Sequence, residues 1–138
     1  MRKIIGTLIA AAAVLTVPAA DARDNGARQA KAEAKLAKLL EGRVAGEPQD
    51  CIYLPRVRSS RIIDGTAIVY DAGSTIYVNR PRNGAYALDD DDIMVTDVHG
   101  STLCSIDVVR LHDRTSFFYD GFVGLDEFVP YKKVALRD

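Results

Sequence analysis

Cys51 and Cys104 are the only two cysteines in the chain, and a bond between them would limit the fold more than any other contact. It would close a loop of roughly 53 residues and remove about 4 kcal/mol of unfolded-chain entropy on the chain-entropy account. That is comparable with the whole net stability of a small domain. The competing use of two cysteines is redox or metal chemistry. Dithiol catalysts place their cysteines as C-x-x-C, and thiolate metal centres need about four ligands. Neither pattern is written here, so a structural disulfide is the expectation, with no cofactor and no metal.

Such a bond persists only where thiols are oxidised, and the start of the chain points to such a place. Arg2 and Lys3 form a positive n-region, Ile4 to Val17 an apolar h-region, and Ala20-Asp21-Ala22 puts small residues at a cleavage site. Residues 1–22 therefore read as a signal peptide, with the mature chain starting near Arg23. The apolar run is stopped by Pro18 after about 14 residues, too short to span a bilayer comfortably. No cysteine follows the cleavage point, which closes the bacterial lipoprotein route. The expectation is a periplasmic or secreted protein with no transmembrane anchor in its mature form. The formal charge of −1 becomes −2 once Arg2, Lys3 and Asp21 leave with the leader. Arg56, Arg58, Arg61, Arg80 and Arg82 cluster, yet few aromatic residues lie between them to stack bases, and nucleic acid is not an expected partner.

Residues 23–50 read as a helix and a linker. Strong helix formers run from Ala27 to Glu41, and Gly42 stands where a left-handed cap ends a helix. Leu36, Leu39 and Leu40 form a short apolar stripe beside the basic arc of Arg28, Lys31, Lys35 and Lys38. Docking on a sheet, a frayed arm and contact with an anionic membrane are the three uses considered for it. Arg43 to Asp50, with Gly46 and Pro48, reads as the linker.

Residues 51–138 change to an extended pattern. Asp64-Gly65 predicts a tight turn between Arg61-Ile62-Ile63 and Thr66 to Tyr70. Asp71-Ala72-Gly73-Ser74 predicts a second turn, before Thr75 to Val78. Further strands are expected at Ile93–Val98, Leu103–Ile106 and Val108–Leu111. Phe128 to Tyr131 reads as a closing edge strand, because Pro130 cannot donate to a ladder. Phe117, Phe118, Tyr119, Phe122, Phe128 and Tyr131 are expected to form core or a lid over a sheet end; an exposed patch would instead mark a partner site.

Polar residues offer little chemistry by spacing. Asp89 to Asp92 puts four carboxylates in a row, but adjacent residues on an extended segment point to opposite faces and no calcium-loop motif can be written. A solvated turn that discourages strand pairing is the expectation, a weak cation site the alternative. Asp107 reads as a turn residue that accepts backbone N–H bonds. His99 and His112 are the only histidines, and Asp113 beside His112 does not face it along a strand. No nucleophile elbow, H-E-x-x-H or phosphate loop occurs.

Several of these segments, taken in order, resemble an uncharacterised family, a domain of unknown function, of small exported proteobacterial proteins. They are Cys51-Ile52, the Arg56 to Asp64 stretch, Tyr77-Val78-Asn79, Leu88, Leu103-Cys104-x-x-Asp107 and Gly124-Leu125-x-x-Phe128-x-Pro130. The likeness covers roughly residues 36 to 131. That family carries four cysteines, and Ala85 and Val123 stand here at the other two positions. The resemblance implies that the missing two pair with each other in relatives, so that Cys51 pairs with Cys104 and Ala85 packs near Val123. It implies no activity.

The fold expected is mainly β: a small antiparallel barrel or sandwich of about five to seven short strands, preceded by one helix. The function expected is a non-enzymatic exported module, structural or binding, whose partner is an unidentified envelope component or protein. The alternatives are a small envelope hydrolase and a weak cation-binding protein using Asp89 to Asp92.

Overall fold

In a computed structural model, residues 20–135 are described; the signal peptide read over 1–22 falls, up to residue 19, outside the described residues. The protein is mainly β. One helix, α1 (Ala20–Leu39), precedes ten strands: β1 (Arg43–Ala45), β2 (Cys51–Tyr53), β3 (Ser59–Ile63), β4 (Ala67–Asp71), β5 (Thr75–Asn79), β6 (Asp92–Thr96), β7 (Thr102–Cys104), β8 (Val108–Asp113), β9 (Tyr119–Gly124) and β10 (Phe128–Lys133). They form three antiparallel sheets, ordered β1-β10-β5-β4-β3, β2-β7 and β6-β8-β9. None closes into a barrel, and the arrangement is sandwich-like. The strand count exceeds the expected five to seven because β1 and β2, of three residues each, are too short to show an alternating pattern, and because β9 lies in the aromatic stretch read as core or lid.

The five-stranded sheet is covered on both faces. Ile62, Ile68, Tyr70 and Phe128 turn one way, onto Ile52, Leu103, Val109, Leu111, Val123 and Leu125 of the smaller sheets and the loop after β9. Ile63, Ala67, Val69, Ile76 and Val78 turn the other way, onto Ala32 and Leu36 of α1. This explains why Ala67-Ile68-Val69-Tyr70 is apolar without alternation: a strand buried on both faces needs no polar side. The leucine stripe of α1 therefore docks, with Leu36 buried and Leu39 and Leu40 packed at its margin. Arg80 and Glu33 pair at 2.8 Å beside it. The helix ends at Leu39, and Gly42, which does take the left-handed conformation at φ +71°, stands in the turn that follows, closed by the Arg43 N–H on the Leu40 carbonyl at 3.1 Å. No helix among the described residues is long and apolar enough to cross a membrane.

Two expectations are corrected. The stretch read as a linker contains β1, which pairs with β10. In consequence β10 is not an edge strand but lies between β1 and β5. Pro130 is tolerated there because its position opposes Gly46, just past the end of β1. The Gly46 N–H donates to the Pro130 carbonyl at 2.7 Å, and the reciprocal bond that proline cannot make falls where the regular pairing breaks, between the Ala45–Tyr131 pair and the isolated Gln49–Phe128 bridge.

Cys51 and Cys104 stand directly opposite each other in the β2–β7 pair and are bonded, with Cα atoms 4.0 Å apart. The neighbouring pair carries the ladder bond, from the Ser105 N–H to the Asp50 carbonyl at 2.8 Å, and the closer spacing of a non-hydrogen-bonded pair suits the bond. Asp107 Oδ2 accepts the Cys104 N–H at 2.7 Å, and Asp107 N–H returns a bond to the Cys104 carbonyl at 3.0 Å. Asp107 is thus the turn residue its position suggested.

Candidate functional site

Register decides which side chains reach solvent on the three-stranded sheet. Leu111 and Val109 face the core, so Arg110 and His112 face outward. Val95 and Phe122 oppose Arg110, while Ile93 and Tyr119 oppose His112. Residues directly opposite in an antiparallel pair share a face, so Ile93, Val95, Tyr119 and Phe122 form one apolar surface around Arg110 and His112. The His112 and Tyr119 rings meet edge to face at 5.8 Å. The β8–β9 turn beside this surface leaves Phe117 and Phe118 exposed as well. Phe118, whose carbonyl accepts the Asp113 N–H at 3.0 Å, opposes Asp113 and does not share the face of His112 and Tyr119.

These aromatics are not core. Phe118 is 76 % exposed, Phe117 69 %, Tyr119 56 % and Phe122 52 %; of the expected aromatic core only Phe128 is buried, with Tyr131 half-buried. The cause lies in the turn. Asp113 Oδ1 accepts the N–H groups of Thr115 at 3.0 Å and Ser116 at 2.6 Å, and the Ser116 hydroxyl at 2.8 Å. These bonds hold the Asp113 carboxyl below the usual carboxylate range. They also fix a turn in which Phe117 has φ +62° and donates its N–H to the Asp113 carbonyl at 2.8 Å. A phenylalanine in left-handed backbone is strained, and aromatic composition alone could not reveal that the chain turns these rings outward.

The histidines meet no carboxylate among the described residues. His112 Nδ1 lies 3.3 Å from the Phe117 carbonyl, and Asp113 is committed to the turn. His99 is exposed in the loop after β6. The arginines grouped in sequence are dispersed to separate tasks: Arg80 on Glu33, Arg82 on the Leu125 and Ser105 carbonyls, Arg56 over the Tyr53 ring.

The acidic run divides. Asp89, Asp90 and Asp91 are exposed, and the β3–β4 turn brings Asp64 to Asp89 and Asp90, with a carboxylate oxygen of each within 4.8 Å of the others. Sequence spacing could not show Asp64 there. Lys35 of α1 already reaches Asp90 at 3.2 Å, and Asp64 Oδ1 accepts the Asp90 N–H at 2.8 Å. Asp92 departs from the expected solvated turn. It lies on the inner face opposite Asp113, is 6 % exposed, and its Oδ2 has no hydrogen-bond partner among the described residues. Burial, then Asp120 and Asp89, raise its affinity for a proton.

Asp92 should therefore weaken the fold when ionised. A carboxyl whose folded value is raised costs nothing below the unfolded value of about 3.9, and the cost grows as pH rises through and above it. Asp92→Asn is expected to stabilise the protein by about 1 kcal/mol at neutral pH and to change little near pH 3. Denaturant unfolding of both proteins at the two pH values checks this. Asp113, whose lowered value adds stability that is lost on acidification, is present in both proteins, so the difference reads the burial of Asp92 together with its repulsion by Asp113. Destabilisation by Asp92→Asn at neutral pH would refute the account.

No protein-family model, curated protein or solved structure matches the chain.

Proposed function

We propose that this chain is an exported, non-enzymatic binding module, and that the outward face of β6, β8 and β9 with the Phe117-Phe118 turn is its contact surface. The observation that carries the reading is the exposure of four aromatic side chains on one hairpin. Large rings left in water are unfavourable for an isolated fold, and exposed apolar groups clustered at one hairpin are typical of partner sites. The strained Phe117 supports it, since such conformations cluster at functional positions. Export is supported by the leader pattern, by the Cys51–Cys104 bond and by the likeness to small exported proteins, to whose family we propose the chain belongs. An envelope protein is the partner class proposed.

Capture from envelope extract tests this with wild-type protein and the double variant Phe118→Ser, Phe122→Ser. Both positions are exposed, so the variant should unfold at an unchanged denaturant midpoint. A protein held by the wild type and reduced about tenfold or more in the variant is expected, as for loss of a central aromatic anchor. Equal capture by both proteins would sink the reading. Phe117→Gly separates contact from stability. Relief of left-handed strain is worth about 1–2 kcal/mol, and the entropy lost by glycine returns about 0.5–1 kcal/mol of it. The variant should therefore gain up to about 1.5 kcal/mol while binding less, a result that a purely structural phenylalanine could not give.

A further inference from the structure

The outer edge of β6 carries no strand among the described residues, and alternation identifies which of its backbone groups are open. Asp113 turns its backbone toward β9: its N–H reaches the Phe118 carbonyl at 3.0 Å, and its carbonyl accepts from Phe117 at 2.8 Å. The next residues of that parity in β8, Leu111 and Val109, do the same, so His112 and Arg110 turn theirs toward β6. Their opposites, Ile93 and Val95, answer them. Met94 and Thr96 are left with N–H and carbonyl groups directed away from the sheet, and both residues are half-buried rather than covered.

We infer that β6 accepts an extended peptide strand of a partner protein, and that this strand is basic at the end lying beside Asp89 to Asp91. The inference rests on the proposed contact surface and names how a partner would engage it. Backbone bonds to Met94 and Thr96 would give affinity, as in strand addition to other sheet edges. Side chains of the added strand opposite Ile93 and Val95 would continue the rows that run through Arg110 and His112 to Phe122 and Tyr119.

Charge selects the occupant. Asp89, Asp90 and Asp91 stand exposed at one end of β6, and Asp97 follows the other end, paired with Arg110 at 2.5 Å. A second copy pairing in parallel would bring the acidic run onto itself. A second copy pairing antiparallel about Met94 would set Asp91 against Asp97. Like charges placed opposite destabilise a ladder, and charged ends are a common guard against self-pairing of edges. The same charges attract a strand ending in lysine or arginine.

The test uses three synthetic peptides: alternating valine and threonine with two lysines at each end, the same with glutamates in place of the lysines, and the lysine peptide with alternate backbone nitrogens methylated. With the lysine peptide near ten times its dissociation constant, hydrogen exchange at the Met94 and Thr96 amides should slow about tenfold. The glutamate and methylated peptides should give no protection. Unchanged exchange with millimolar lysine peptide, or equal protection by the glutamate peptide, would overturn the inference. Shifts of the Tyr119 and Phe122 ring signals without protection at Met94 and Thr96 would also overturn it, yet leave the aromatic contact surface standing. Loss of that surface is read separately, from equal capture by the Phe118→Ser, Phe122→Ser protein.

Discussion

Replacing both bonded cysteines, in Cys51→Ser with Cys104→Ser, is expected to lower unfolding free energy by about 4 kcal/mol, the chain-entropy value for a closed loop of this length. The two residues are 53 positions apart, and freeing them lets the unfolded chain recover the entropy of that loop. The effect should be large because β2 and β7 have little else to hold them. Each is three residues long, and a two-stranded pair of that length is not stable alone in water. Their buried residues, Ile52 and Leu103, complete the core between the sheets, so fraying of the pair would open that core to water. Opposing this, Ser105 Oγ donates to Asp50 Oδ1, and Asp107 secures the Cys104 N–H whether or not the sulfurs are joined. These contacts would keep the native arrangement reachable without the bond. The double variant should therefore fold, with its urea midpoint lowered by roughly 1.5–4 M and its m-value little changed. A midpoint shift under about 0.5 M would show that the bond is incidental to stability.

The parts of this fold legible in sequence were those where local chemistry and tertiary context agree. Asp64-Gly65 and Asp71 to Ser74 do make turns, joining β3 to β4 and β4 to β5 in antiparallel pairs. Gly42 does take the left-handed conformation, in the turn after the helix, and Leu36 does dock. Pro130 misled because its rule concerns one missing N–H, whereas the cost depends on whether a partner carbonyl waits at that spot. Pro130 falls at the break between the Ala45–Tyr131 pair and the Gln49–Phe128 bridge, and only the folded register reveals this. The aromatic residues misled for a related reason: composition records that rings are present, while the Asp113 turn decides which way they point. Asp92 was hidden among identical neighbours, since only strand parity separates the buried carboxylate from the exposed three. The proposed contact surface was therefore visible as a list of residue types, but its exposure was not.

Phe128→Ala is expected to cost about 3–5 kcal/mol, the range for removing a fully buried ring, and to leave a domain of this size close to its unfolding threshold. Phe128 has no exposed surface, and its ring meets Tyr70 edge to face at 5.8 Å. Two constraints keep the site from collapsing around the vacancy. Its backbone is held by paired bonds with Gln49 at 2.7 and 2.8 Å, while Asn79 of β5 stands opposite it on the other side. The approach to it is also fixed: buried Asn79 donates to the Asp126 carbonyl at 2.6 Å and accepts the Asp126 N–H at 3.2 Å. A backbone pinned this way cannot move inward to fill lost volume, so the cavity cost adds to the lost burial. Phe128→Leu keeps most of the volume and should cost under about 1.5 kcal/mol. Denaturant unfolding of the two variants measures the gap between them, and equal losses would mean that the ring's volume is not what joins the sheets. Because Phe128 lies on the opposite side of Val123 and Leu111 from the outward aromatics, the leucine variant should also retain whatever the exposed hairpin binds. Loss of capture in a well-folded Phe128→Leu protein would place the contact surface elsewhere on the molecule.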